Sequence, residues 1–427
     1  MAFLQKPWNN LTIDGLHRLA GRSRAERLAI VESPDTGTWH CRPALQVTAA
    51  EADQQITRFA RQLNGMGLQA GDAVLLYLPN TIDAVTAIIG TMAAGMIPCP
   101  VSLGHSTAEL ERAAEAVSPR AIVTVTRHAD TAPLAAATEV AVRHFGIRVV
   151  AAFGADVTEG VIALDRWTPD HVPVPDAARK GDPNGIALVT VEPSGEGFTA
   201  HRRTHSQLIC DALALSATAR IGRMTPLVTT LSPASAFSVL ATCVLPALTG
   251  AELHLHGVFN AAAFADQLNG LNGPHAILPG AIEAALEEFS AGLDGGLGTP
   301  ILVHRIPACL EQPRPALGHS RRSIDVACFG EAAVIARVRA SNRHFLELDA
   351  RLQHPAAFAI DQDRPWIEAA LDGRGEVLLR GPSLSFTALR KDAGQWHGTG
   401  AAGTLDGDGA ISIAARVAPA AGAASAA

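Results

Sequence analysis

Few residues in this chain have the type and spacing that chemistry needs. His254-Leu255-His256 puts two imidazoles two positions apart on an expected strand, so both share one face. No third ligand stands nearby in sequence, and the spacing argues against a metal site. The six cysteines, Cys41, Cys99, Cys210, Cys243, Cys309 and Cys328, are scattered without a CxxC pair. That argues against a disulfide framework and a zinc site and suits a reducing cytosol. No GxSxG elbow is present, which argues against a serine hydrolase. Asp406-Gly407-Asp408-Gly409 lacks the downstream oxygens of a calcium loop and reads as a hairpin turn. Glu192-Pro193-Ser194-Gly195-Glu196-Gly197-Phe198-Thr199-Ala200 carries two glycines that can form a turn, and Arg202 and Arg203 after it read as a solvated helix start.

The elements that would position these residues follow a regular order. Thr48-Ala49-Ala50-Glu51 is a capping box, and Ala52, Ile56, Phe59, Ala60 and Leu63 then recur at helical spacing. Short apolar strands at Ala73–Leu78, Ile97–Val101, Ala121–Thr126 and Arg148–Ala152 alternate with helices after Asn80, at Thr107–Val117 and at Thr131–His144. A Pro- and Asp-rich linker covers Thr168–Asn184. A second alternating unit runs from strand Ile186–Val191 and helix Thr204–Ala219 to strand Ile301–Val303. Apolar strands alternating with amphipathic helices indicate α/β architecture with mainly parallel sheets covered on both faces. From Arg337 the pattern changes to short strands and Gly-rich turns. The expected division is a lead-in over 1–45, irregular apart from one helix near Leu16–Arg27, then αβ subdomains over 46–180 and 181–336, a β-rich lobe over 337–416 and a disordered tail over 417–427.

Composition bounds the function. The chain has 427 residues, 48% hydrophobic and 18% charged, enough to build a large core. A net charge of −7, a single Tyr and 4% aromatics disfavour nucleic-acid binding. The stretch from Ala84 to His105 is broken by Gly90, Gly95, Pro98 and Pro100 and reads as a helix and a strand, not a membrane span. The N-terminus does not read as a signal peptide, so the expected location is the cytoplasm.

Several blocks in order resemble the adenylate-forming superfamily of AMP-dependent synthetases and ligases, which includes acyl-CoA synthetases. They are Leu63–Val74 with its Gly67 and Gly71-Asp72, Leu78-Pro79-Asn80 with Ala94-Gly95 and Pro98, Leu248-Thr249-Gly250-Ala251, Gly375–Pro382, and Trp396–Gly400. The resemblance implies two αβ subdomains with a small distorted β-barrel lobe. The sequence stops just after Ala415-Arg416, where the family's hinge lies, so the family's small C-terminal domain is expected to be absent.

Residue by residue, the resemblance also implies a degenerate ATP and Mg²⁺ site. The vestigial phosphate loop comprises Ser194, Gly195 and Gly197 with Thr204 and His205, and the family's lysine falls on Thr199. The family's phosphate-touching threonine and Mg²⁺-binding glutamate fall on Ala332 and Ala333. The ribose-binding aspartate, after Thr399-Gly400, falls on Ala401. The ligand pocket falls on Ala236, Phe237 and Ser238 with Phe329 and Gly330. Without a cation, a metal ligand and a ribose contact, charge stabilisation at the α-phosphate is lost. The expectation is therefore a non-catalytic acyl- or aryl-binding or scaffolding subunit, with no confident cofactor. It would work with a partner enzyme or carrier protein, or self-associate. The alternative is a divergent ligase that does use ATP and Mg²⁺, through residues such as Arg202, Glu331 or Asp406, with a C-terminal domain supplied in trans.

Overall fold

The computed structural model describes residues 11–167, 181–195, 197–293, 296–307, 322–339, 347–349, 351–352, 365–389, 396–405 and 410–416. The turn at Asp406–Gly409, Glu196, Cys309, most of the linker and the tail after residue 416 lie outside them.

The first sheet has five parallel strands in the order Ile97–Val101, Ala73–Tyr77, Ala121–Val125, Val149–Phe153 and Ile162–Ala163. Two of its helices begin with a capping box. Thr48 accepts from the Glu51 amide at 3.3 Å while Glu51 accepts from the Thr48 amide at 2.8 Å, and Ser106 and Glu109 repeat the arrangement. Each pair satisfies orphan N–H donors at a helix start.

The second sheet has eight strands in the order Ala333–Val338, Ile324–Phe329, Pro300–Ile306, His275–Pro279, Pro226–Thr229, Glu252–Leu255, Leu28–Glu32 and Gln46–Thr48. The inner strands run parallel and each edge strand pairs antiparallel. The expectation of an irregular lead-in is therefore corrected. Leu28–Glu32 pairs in parallel with Glu252–Leu255 and extends the second sheet. Its five residues are too few for periodicity to mark them. Strand Ala333–Val338 also carries this sheet two residues past position 336.

Strands Ile367–Leu371, Glu376–Arg380 and His397–Leu405 form half of a six-stranded antiparallel lobe, completed by Glu347–Asp349, Arg351–Leu352 and Ala410–Arg416. One apolar core joins the three parts: Phe59, Ile88, Leu188, Phe237, Val377 and Ala401 belong to it. Among the described residues no helix is long and apolar enough to cross a membrane.

Candidate active-site region

The segment expected to loop around phosphate is instead a β-hairpin. Ile186–Ser194 pairs antiparallel with Gly197–Thr204, and Glu192 stands opposite Thr199. Ladder bonds commit alternate N–H groups to the partner strand, so few remain to converge on an anion. Gly195 has φ +59°, the left-handed conformation a tight connection requires, and a Cβ added at Gly195 or Gly197 would meet nothing within 4 Å. Both glycines face open space.

Glu192 reaches from this hairpin to the turn after Phe329. Its Oε2 accepts from the Glu331 amide at 3.0 Å and lies 3.3 Å from His201 Nε2. A Cβ on Gly330 would come within 2.0 Å of Glu192 Oε1, and Gly330 has φ +52°. A side chain here would need a strained left-handed backbone and would displace the Glu192 carboxylate. Burial pushes the Glu192 pKa up, but the hydrogen bonds from His201 and the Glu331 amide, with the charges of His201 and His397, outweigh it and hold the group ionised at lower pH than usual.

The same turn places Ala332 and Ala333 inside, as fully buried methyl groups. Glu331 is buried beside them. Its Oε2 accepts from the Ala236 amide at 2.8 Å, at the start of the helical run that continues through a π turn at Leu240–Val244 to Thr249. Burial raises the Glu331 pKa against the opposing effects of that amide and of Arg305 and Arg203.

Arg203 does not form the solvated face expected of it; it is 1% exposed. Strand alternation sends His201 and Arg203 inward together. Arg203 donates to the Ala332 carbonyl at 2.9 Å and the Ser383 carbonyl at 2.8 Å, and lies 3.4 Å from Asp211. Asp211 also accepts from Trp366 Nε1 and from the Ser383 hydroxyl, both at 2.8 Å. Burial pushes the Asp211 pKa up to about 6, with Arg203 opposing. His201 shares a hydrogen bond of 2.9 Å with the Ser385 hydroxyl. Spacing alone could not reveal this network, because Trp366, Ser383 and Ser385 lie more than 150 positions from their partners.

Thr204 and His205 are both engaged in packing the chain. Thr204 caps the helix His205–Ala219, and His205 Nδ1 accepts from the Ile13 amide at 3.1 Å. Burial pushes the His205 pKa down to about 4. On the β lobe, Thr399 donates to the Val377 carbonyl at 2.7 Å, Gly400 N–H donates to Glu376 Oε1 at 2.9 Å, and Ala401 is fully buried. Gly400 lies close to Pro307, whose Cγ would be 3.7 Å from an added Cβ.

Of the expected pocket residues, Ala236, Ser238 and Phe329 are buried in contact with the chain itself, and Gly330 lies under Glu192. Phe237 borders a cavity of about 160 Å³, with Leu215, Leu240, Ile335 and Trp366 on its walls and Asp211 as its charged group. His254 and His256 have separate partners, Glu252 at 2.9 Å and Gln267 at 3.1 Å. Among the described residues no three potential metal ligands cluster.

With this geometry in view, the relationships of the chain are clear. Residues 20–190 match the AMP-binding enzyme family. Over these residues the chain is similar to AMP-binding enzymes, and its fold is that of adenylate-forming ligases. It is 29% identical over 221 residues to the salicyl-AMP ligase / salicyl-S-ArCP synthetase of Mycobacterium tuberculosis, covering 50% of this chain and 37% of that protein. It is 31% identical over 112 residues to the acetyl-coenzyme A synthetase of Rhodobacter capsulatus, covering 26% of this chain and 16% of that enzyme. The aligned region thus spans well under half of either relative. Among solved structures, apo MbtA of Mycobacterium smegmatis superposes with a TM-score of 0.74 at 22% identity, covering 96% of this chain and 77% of that one. The anthranilate CoA ligase AuaEII, in complex with anthranoyl-AMP, gives 0.73 at 16% identity, covering 97% and 80%.

Proposed function

We propose that this chain is an AMP-binding-type protein whose nucleotide site is dismantled, and that it serves as a non-catalytic acyl- or aryl-binding or scaffolding subunit beside a partner enzyme or carrier protein. The observation that carries this reading is the placement of Glu192. Its carboxylate lies between the hairpin and the 329–333 turn and takes the Glu331 amide for itself. A triphosphate approaching there meets an anion already in place, with Thr199 opposite and no lysine. Glu376 engages the Gly400 amide in the same way.

ATP and Mg²⁺ do not fit these residues. Methyl groups at Ala332, Ala333 and Ala401 offer no oxygen to a hard cation or to ribose hydroxyls. Loss of one preorganised contact to developing charge costs about 3–4 kcal/mol of transition-state stabilisation, and losses within one cooperative site do not simply add. Of the substitutes weighed for a divergent ligase, Glu331 is spent on the Ala236 amide. The cavity beside Phe237 supports retained binding of a small aryl or acyl group. The relatives' names make salicylate, anthranilate and acetate the first compounds to try.

Carboxylate-dependent ATP–pyrophosphate exchange with these three acids tests the proposal. The expected result is exchange indistinguishable from a no-enzyme control. Turnover that depends on the acid would establish the ligase reading instead.

A further inference from the structure

At the other end of the large sheet, where strands Leu28–Glu32 and Pro226–Thr229 begin, three arginines crowd together, and a Cβ added at Gly250 would meet both Arg24 Nη1 and Arg223 Cγ. Arg24 Nη2 donates to the Ala247 carbonyl at 2.7 Å. Arg27 Nη2 donates to the Arg223 carbonyl at 2.9 Å and lies 3.3 Å from Met224 Sδ. Among the described residues none of the three forms an ion pair with a carboxylate. Arg24 closes the end of the helical run at Thr249, where a cation suits the exposed carbonyls. That accounts for Arg24, and Arg27 ties the strand start to the 223–224 turn, but among the described residues no carboxylate meets the charge of Arg27 or Arg223. The clustering carries an electrostatic cost: burial lowers the Arg24 pKa first, and repulsion from Arg27 and Arg223 adds to it.

Apolar groups flank the cluster. Met224 is 82% exposed and Leu28 37% exposed. Beside Leu28 and the helix end lies a cavity of about 40 Å³ with Ala20, Ala49 and Ala247 on its walls together with Arg24, Arg27 and Thr242. Exposed Met and Arg beside a small, partly apolar depression is the composition of a protein interface.

We propose that Arg24, Arg27 and Arg223, with Met224 and Leu28, form a docking surface for an acidic amphipathic segment of a partner protein. Carboxylates of the segment supply the counter-charges the cluster lacks, and one small aliphatic side chain enters the depression. The surface sits at the starts of the parallel strands, whereas the Glu192–Glu331 region follows the end of strand Ile324–Phe329. A docked partner therefore leaves that region uncovered. This inference rests on the proposed role as a subunit that works with a partner.

Fluorescence anisotropy on the full chain tests it, with a labelled synthetic peptide of about 20 residues carrying Glu and Leu at helical spacing as probe. A matched peptide with Lys for Glu serves as control. The expected result is salt-sensitive binding of the acidic peptide alone, weakened about tenfold or more in the Arg27→Glu/Arg223→Glu variant and unchanged in Arg166→Glu. If the reversal variant fails to fold, Arg27→Gln/Arg223→Gln gives the same comparison with a smaller loss. Absence of binding, equal binding of the basic peptide, or equal loss in Arg166→Glu would overturn the proposal. Full displacement by pyrophosphate would assign the cluster to small oxyanions and overturn it as well. Self-association that the reversal abolishes would assign the surface to a second copy. Exchange activity, by contrast, bears on the proposed function and leaves this binding result untouched.

Discussion

Glu192 and Glu376 each turn a carboxylate onto a backbone amide, of Glu331 and of Gly400, at distances of 3.0 and 2.9 Å. Both amides belong to segments that the resemblance assigns to nucleotide binding, so the chain neutralises its own donors. Gly330 is the residue this arrangement depends on. Gly330→Ala combines a left-handed backbone with a Cβ overlapping Glu192, and is expected to cost about 2–4 kcal/mol, read as a lowered denaturation midpoint. A second charged site lies near the first sheet. His40 Nε2 is 3.0 Å from Asp83 Oδ2, and Arg42 joins Asp83 to Glu32. Burial alone would lower the His40 pKa, but the bond and charge of Asp83, with Cys41 adding, raise it to about 9. The folded pKa is thus above the unfolded value near 6.5. The pair contributes stability in full below pH 6.5, of the order of 3 kcal/mol, and loses it as pH rises through 9. Melting temperatures between pH 6.5 and 9.5 should fall in the native protein, and that slope should flatten in Asp83→Asn.

Among elements, the hairpin Ile186–Thr204 does the most to set the character of the site. Its inward arginine ties it to the β lobe through Ser383 and to the helix His205–Ala219 through Asp211. Arg203→Met leaves the Asp211 carboxylate buried without its cation, and about 3–5 kcal/mol of stability should be lost in urea denaturation. Capping is a smaller contribution: Thr204→Ala should cost about 1 kcal/mol in the same experiment. The legibility of the sequence follows the same physics. Helices with a capping box and a long periodic face could be read directly: Thr107–Val117 was expected and observed with the same bounds, and Ala49–Gly65 starts immediately after its predicted cap. Strand Leu28–Glu32 could not, because its pairing with residues more than 200 positions away carries no local signal. The hairpin was hidden by its glycines, which mark a turn without saying how far the flanking strands extend. Arg203 was misplaced because helix-start arginines usually face water, whereas the preceding strand turns this one inward. Thr199, Ala333 and Ala401 could be read from the sequence as residue types, while the carboxylates that accept from the neighbouring amides come together only in the fold.

At the scale of the whole molecule, the adenylate-forming fold is retained. One apolar core spans both αβ units and the β lobe, and Gly67, Gly71, Gly95, Gly250 and Gly375 of the resembled blocks take the left-handed backbone of tight connections. We read this as a scaffold whose packing has outlasted its nucleotide chemistry, with a cavity beside Phe237 left for a small apolar ligand. Filling that cavity by Ala336→Leu should abolish the thermal shift produced by any aryl acid that binds there, without lowering the melting temperature of the free protein. The most direct test of the central claim is calorimetric titration of the full chain with ATP–Mg²⁺. The account predicts no saturable heat at millimolar nucleotide. A one-to-one binding isotherm that weakens on exchanging Gly400 or Glu331 for proline would contradict it.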